Sequence, residues 1–85
     1  LTQSLAIDLA PHVRVNGIAP GAILWPEREM DSEEKDKLLS SIPLGELGTP
    51  EDIANTLSFL TSASYITGQI IYVDGGRGLY TGASA

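Results

Sequence analysis

Eighty-five residues suffice for one small domain, and a chain of this length buries only a modest share of its surface. A net charge of −6 with only five Lys and Arg argues against a nucleic-acid or anionic-membrane footprint. No stretch approaches the roughly 18 apolar residues of a membrane span, and the absence of cysteine excludes disulfides and Cys-ligated zinc, as suits a cytoplasmic protein.

The chain reads as a helix from its first residue. Leu1, Leu5 and Leu9 recur every four positions, with Ala6 and Ala10 beside them, so an apolar stripe is predicted over Leu1–Ala10. No cap precedes Leu1, which suggests that the sequence is a fragment of a longer domain. Pro11-His12 closes the helix, because proline cannot continue the hydrogen-bond ladder. Val13–Ala19 is short, apolar and partly β-branched, the pattern of a strand buried in a parallel sheet, and Pro20-Gly21 breaks it. Ala22-Ile23-Leu24-Trp25-Pro26 is an apolar loop without period. An acidic stretch from Glu27 leads into a short helix over Ser32–Ser41, with Leu38 and Leu39 as its buried residues.

Thr49-Pro50-Glu51-Asp52 is a helix start. Threonine caps, proline suits the first helical position, and the acids face the positive end of the dipole. Ile53, Leu57 and Leu60 give this helix its predicted core stripe, and Ser62-Ala63-Ser64 ends it. Gln69–Val73 is a second strand, stopped by Asp74-Gly75-Gly76, and residues 77–85 read as a Gly- and Ala-rich tail. Strand, crossover helix and strand in this order predict an α/β fold with a parallel sheet. Two strands do not complete such a sheet, so the whole of 1–85 is expected to be one segment of a single larger domain.

Val15-Asn16, Ala19-Pro20-Gly21, Pro43-Leu44-Gly45, Pro50-Glu51-Asp52-Ile53-Ala54, Thr67-Gly68-Gln69 and Val73-Asp74-Gly75-Gly76 occur in one order over about 65 residues. Together they resemble the C-terminal third of the short-chain dehydrogenase/reductase family. That resemblance implies the C-terminal portion of a Rossmann-type doubly wound parallel sheet. Members usually carry a threonine a few residues after the Pro-Gly, where it contacts the nicotinamide carboxamide. Ala22-Ile23-Leu24-Trp25-Pro26 has none, and this apolar segment is similar to pteridine and dihydromonapterin reductases. So are Glu34-Lys35-Asp36-Lys37 running on to Ile42-Pro43-Leu44-Gly45, and a helix-to-strand connection one residue shorter than the commoner pattern.

The resemblance implies NADPH-dependent reduction of a pterin by hydride transfer, with NADH as the other possible cofactor. It also implies a homotetramer joined through Leu1–Ala10 and Gln69–Gly76. The family's Tyr and Lys, four residues apart on one helix face, would lie upstream of Leu1, so no catalytic residue is assigned within this chain. None of Tyr65, Tyr72 and Tyr80 has a Lys four positions on, and each reads as a core or surface residue. Pro20, Gly21, Ala22 and Ile23 are the candidate wall of the nicotinamide pocket, because ligands in such sheets bind beyond the C-terminal ends of strands. Gly21 would let the backbone pass close to a planar ring, having no Cβ in the way. Leu24 and Trp25 are the candidate substrate residues, although Trp25 would equally serve as packing or a subunit contact. His12 reads as a solvated turn residue, Arg14 as a structural ion-pair or carbonyl contact, and Arg77 as a surface residue that could reach a neighbouring subunit. The acids between Glu27 and Glu34 show no metal-ligand spacing and read as a solvated face. Two other functions fit the same residues: an oxoacyl-carrier-protein reductase, or a non-catalytic binding or assembly module of the same fold.

Overall fold

A computed structural model describes residues 1–23 and 28–80. Helix α1 (Thr2–Leu9), strand β1 (Gly17–Pro20), helix α2 (Ser32–Ser40), helix α3 (Pro50–Ser62) and strand β2 (Ile70–Val73) occur in chain order, and a short 3-10 turn spans Arg77–Tyr80. The two strands pair in parallel with Gly17 opposite Ile70 and Pro20 opposite Val73. Helix α3 packs on both of them. The α/β architecture with a parallel crossover is therefore as the residue pattern predicted.

Strand β1 is shorter than predicted and begins four residues later, at Gly17 instead of Val13. Over Val13–Asn16 the backbone makes no ladder: the Val13 amide donates to the Leu9 carbonyl and the Val15 carbonyl accepts from the Gly68 amide. Thr67 Oγ1 accepts from the Val15 amide at 3.0 Å, and the Asn16 side chain bridges the Gln69 amide and the Ile66 carbonyl, each at 3.0 Å. Apolar β-branched residues predicted a strand there, but the segment is tied to the turn before β2 by isolated bonds, and pairing in register begins only at Gly17. Pro20, expected just beyond the strand, is instead its last paired residue. A strand end tolerates the missing N–H.

Arg14 ties this segment to the far end of α3. Its guanidinium donates to the carbonyls of Leu60 (2.9 Å), Thr61 (3.0 Å) and Ile66 (3.4 Å). The last turn of α3 holds no basic residue of its own, so a cation from elsewhere in the chain meets the negative end of its dipole and the carbonyls that the helix leaves unpaired. Of the two contacts the sequence allowed for Arg14, carbonyls are the one made. Removing a charged donor from three carbonyls is expected to cost the intact protein about 2–3 kcal/mol. Arg14→Lys is expected to recover only part of this, because an ammonium lacks the planar fork. Urea denaturation of Arg14→Ala and Arg14→Lys checks both expectations.

Helix α3 starts as its sequence predicted. The Asp52 amide donates to Thr49 Oγ1 at 3.3 Å while the Thr49 amide donates to Asp52 Oδ2 at 2.7 Å, with Pro50 at the first turn. This is a reciprocal cap that satisfies two otherwise orphan donors. Thr49→Ala is expected to lower the stability of the intact protein by about 1 kcal/mol, read from its melting temperature. Helix α2 is capped by Asp31, whose Oδ1 accepts from the Glu34 amide at 2.8 Å.

Burial departs from the predicted stripes. In α1 the residue that packs is Ala6, whose Cβ lies 3.5 Å from the position a Cβ on Gly68 would take. Leu1, Leu5 and Leu9 are exposed. In α3, Leu60 is buried and Ile53 half-buried, but Leu57 is 55 % exposed. Leu38 and Leu39 of α2 are only half-buried, and Ile42 just after them is the buried residue. Helix α3 makes the main helix contact with the narrow two-stranded sheet, while Ala6 and Ile42 are enclosed beside the turns at Gly68 and Gly75.

Candidate functional site

The two strands end side by side, and the turns that leave their C-terminal ends make the site. Beyond Pro20, the Gly21 amide donates to the Val73 carbonyl at 2.9 Å, extending the strand contact by one more bond. Beyond Val73, Asp74 turns the chain. Its Oδ1 accepts from the Gly76 amide at 2.9 Å and its Oδ2 from the Gly78 amide at 3.2 Å, so one carboxylate organises the start of the 3-10 turn. The segment read as a tail thus opens with an ordered turn at Arg77–Tyr80.

Gly21 and Asp74 lie against each other. A Cβ on Gly21 would stand 2.7 Å from the Asp74 Cβ and 2.8 Å from its Cα, far inside van der Waals contact. The bare Cα is therefore required by a neighbouring strand end, whether or not a planar ring also passes close to it.

The chain then leaves on a long excursion through α2 and returns to the same place. The Gly48 amide donates to the Ala22 carbonyl at 3.0 Å, and the Leu44 amide donates to the Gly75 carbonyl at 3.0 Å. Between these tethers and the strand ends is a hollow of about 330 Å³, lined by Ala22, Leu44, Gly48, Asp52, Val73 and Asp74 among others. Glu46 also lines it, and two of its three carboxylates are engaged, Asp52 by the helix cap and Asp74 by Gly76 and Gly78. Its charge is wrong for the phosphates of a dinucleotide.

The four residues expected to wall a cofactor, Pro20 to Ile23, do form one continuous segment at the C-terminal end of β1. Among the described residues, the amides of Ala22 and Ile23 have no hydrogen-bond partner in the chain. Two adjacent main-chain donors are thus left open beyond the end of a parallel strand, where ligands bind in such sheets. Leu24 and Trp25, the candidate substrate residues, lie outside the described residues. Tyr65 and Tyr72 are exposed, Tyr65 fully, as surface residues. Among the described residues no group of three or more His, Asp or Glu side chains could hold a metal ion.

On the acidic face, Arg28 donates to Glu34 Oε2 at 2.8 Å. This hydrogen bond is the main cause that holds the Glu34 carboxyl below the ordinary glutamate range, and the charge of Arg28 adds to it. Both side chains are largely in water, so the pair adds little to stability. Sequence reasoning missed Gly48 and the bridging role of Asn16, and saw in Asp74 only a strand stop. An Asp with glycine at the second position after it was the available signal for the turn that Asp74 makes.

Comparison with known proteins decides the family. Residues 1–77 match the family model described as enoyl-(acyl carrier protein) reductase. The chain belongs to the short-chain dehydrogenase/reductase family. It is 52 % identical over 79 residues to the 3-oxoacyl-(acyl-carrier-protein) reductase FabG of Aquifex aeolicus, covering 88 % of this chain and 32 % of that protein. It is 45 % identical over 86 residues to BbsD, a subunit of a hydroxy(phenyl)methylsuccinyl-CoA dehydrogenase of Thauera aromatica, covering 96 % of this chain and 35 % of that one. A short-chain dehydrogenase from Bacillus anthracis has the same fold, with a TM-score of 0.78, 42 % identity, and coverage of 94 % of this chain and 33 % of that one. The chain thus spans about a third of the length of the relatives it matches. The fold of this short-chain dehydrogenase/reductase segment is that of the C-terminal portion of a Rossmann-type sheet. The pterin-reducing branch of the family is not what these relatives represent, and the resemblance stands at the level of the family.

Proposed function

We propose that this segment supplies one wall of the nicotinamide site in an NAD(P)-dependent oxidoreductase that interconverts a hydroxyl and an oxo group on an acyl chain. The observation that carries the first half is the pair of open amides at Ala22 and Ile23 beyond the end of β1. When bound, the nicotinamide supplies or accepts the hydride; the residues of this chain shape its berth. Pro20 ends the strand, Gly21 holds the segment against β2, and Ala22 and Ile23 present main-chain donors. The proton-transfer residues of the reaction belong to the remaining two thirds that the relatives possess.

The acyl substrate is supported by three relatives whose names share one chemistry. FabG is named for a 3-oxoacyl group on acyl carrier protein, and BbsD for a hydroxyl on the phenylmethyl substituent of a succinyl-CoA. A mouse relative, 44 % identical over 80 residues, is named as a (3R)-3-hydroxyacyl-CoA dehydrogenase. Pterin reduction with NADPH is the second reading, favoured by the apolar Ala22-Ile23-Leu24-Trp25-Pro26 with no threonine after Gly21. Exposed apolar residues on α1 and β2, Leu5, Ile7, Ile70 and Tyr72 among them, support assembly into a homotetramer.

Steady-state assays of the intact enzyme separate the readings. Acetoacetyl-CoA and a dihydropterin would each be offered with NADPH and with NADH, following nicotinamide absorbance. Turnover of acetoacetyl-CoA alone is expected. Turnover of the pterin alone would transfer the assignment to the second reading, and turnover of neither would overturn both substrate assignments.

A further inference from the structure

The start of α3 and the cofactor wall meet at one residue. Gly48 immediately precedes the Thr49–Asp52 cap, so its position is fixed by a helix end that is itself held by two reciprocal hydrogen bonds. From there it makes two contacts with the wall segment. Its amide donates to the Ala22 carbonyl at 3.0 Å, and the Ile23 side chain lies over its bare Cα, with Cδ1 only 2.8 Å from where a Cβ would stand. Asp52 Oδ2 would be 3.5 Å from that Cβ, an ordinary contact, so a methyl group at this position would meet Ile23 and leave the cap intact.

We infer that Gly48 is a positioning residue for the nicotinamide wall: the capped end of α3 is an abutment on which Ala22 is held by its carbonyl and Ile23 by its side chain. This rests on the reading of Pro20–Ile23 as that wall. Without the abutment, the Ala22 and Ile23 amides are borne only by the Gly21–Val73 bond on one side. With a methyl group at 48, the end of the Ile23 side chain must rotate off its support, and the wall segment keeps only the Gly48–Ala22 hydrogen bond on this side. The hydrogen bond explains why the return of the chain must be close, and the bare Cα leaves room for the Ile23 side chain to lie over it.

The test uses the intact enzyme with its isoleucine δ1 methyl groups labelled for NMR, and the variants Gly48→Ala, Ile23→Val and Gly48→Ala/Ile23→Val. In the cofactor-free protein, Gly48→Ala is expected to shift the Ile23 methyl resonance while the melting temperature changes little. Its Kd for NADPH or NADH, from nucleotide fluorescence, is expected to rise about tenfold, equivalent to about 1.4 kcal/mol. Ile23→Val removes the colliding Cδ1, so the double variant is expected to bind the nucleotide as Ile23→Val alone does. An unmoved Kd for Gly48→Ala would overturn the inference, as would a weakened Kd that Ile23→Val fails to relieve. Wild-type enzyme that binds neither nucleotide would overturn the wall assignment itself, and the inference with it.

Discussion

Expressed on its own, the 85-residue chain is expected to show no cooperative unfolding transition. Among the described residues only Ala6, Ile42 and Leu60 are buried apolar side chains, whereas large hydrophobic residues such as Leu57, Phe59, Tyr72 and Leu79 are more than half exposed. The accessible surface is 6372 Å². A compact protein of this mass exposes about 4,900 Å², so the chain leaves on the order of 1,500 Å² uncovered that a self-sufficient domain would bury. With a little over half of it apolar, at roughly 25 cal/mol per Å² of apolar surface, that deficit still matches or exceeds the whole stability of a small domain. Both strands are four residues long and, among the described residues, each has an unpaired edge, which adds a tendency to aggregate. Calorimetry and amide NMR of the isolated chain would read the result. A sharp heat-absorption peak with dispersed amide signals would show that the segment is an autonomous domain.

The same shortage of cover separates what could be read from the sequence from what could not. The start of α3 was legible because a cap is local: Thr49, Pro50 and Asp52 need only one another. The order of helices and strands was legible because periodicity and turn residues are local too. Burial was not, because it depends on what lies across the gap. Leu57 has the spacing of a core residue, and no element of the described chain covers it. The start of β1 was misplaced for a related reason. Val13 and Val15 have the character of strand residues, but Arg14 and Asn16 beside them reach the end of α3 and the turn before β2, some 50 residues away in sequence. The candidate site divides along the same line. Pro20–Ile23 could be named from a turn at a strand end, while Gly48 and Asp74 act on that turn only through the fold.

Gly21→Ala is expected to be the most damaging single methyl group that can be added at the site of the intact enzyme. The new Cβ would fall 2.7 Å from the Asp74 Cβ and 2.8 Å from its Cα. Neither is the end of a flexible side chain, so the strand termini themselves must part. Parting them stretches the Gly21–Val73 hydrogen bond, now 2.9 Å, and moves the Asp74 carboxylate off the Gly76 and Gly78 amides that it caps. Overpacking of this kind costs about 1–3 kcal/mol, and a domain of about 250 residues loses roughly 2–4 °C of melting temperature per kcal/mol. Because the Ala22 and Ile23 amides come directly after it, nucleotide affinity should fall by more than the tenfold expected for Gly48→Ala. A second variant, Gly21→Ala/Asp74→Gly, separates the two contacts. It removes the Asp74 Cβ and leaves the Cα, and it also removes the carboxylate cap, so it is expected to remain at least as unstable as Gly21→Ala. Melting curves and nucleotide titrations of both variants provide the check. Full recovery in the double variant would show that the side chain of Asp74, and not the approach of the two backbones, dictates glycine at position 21.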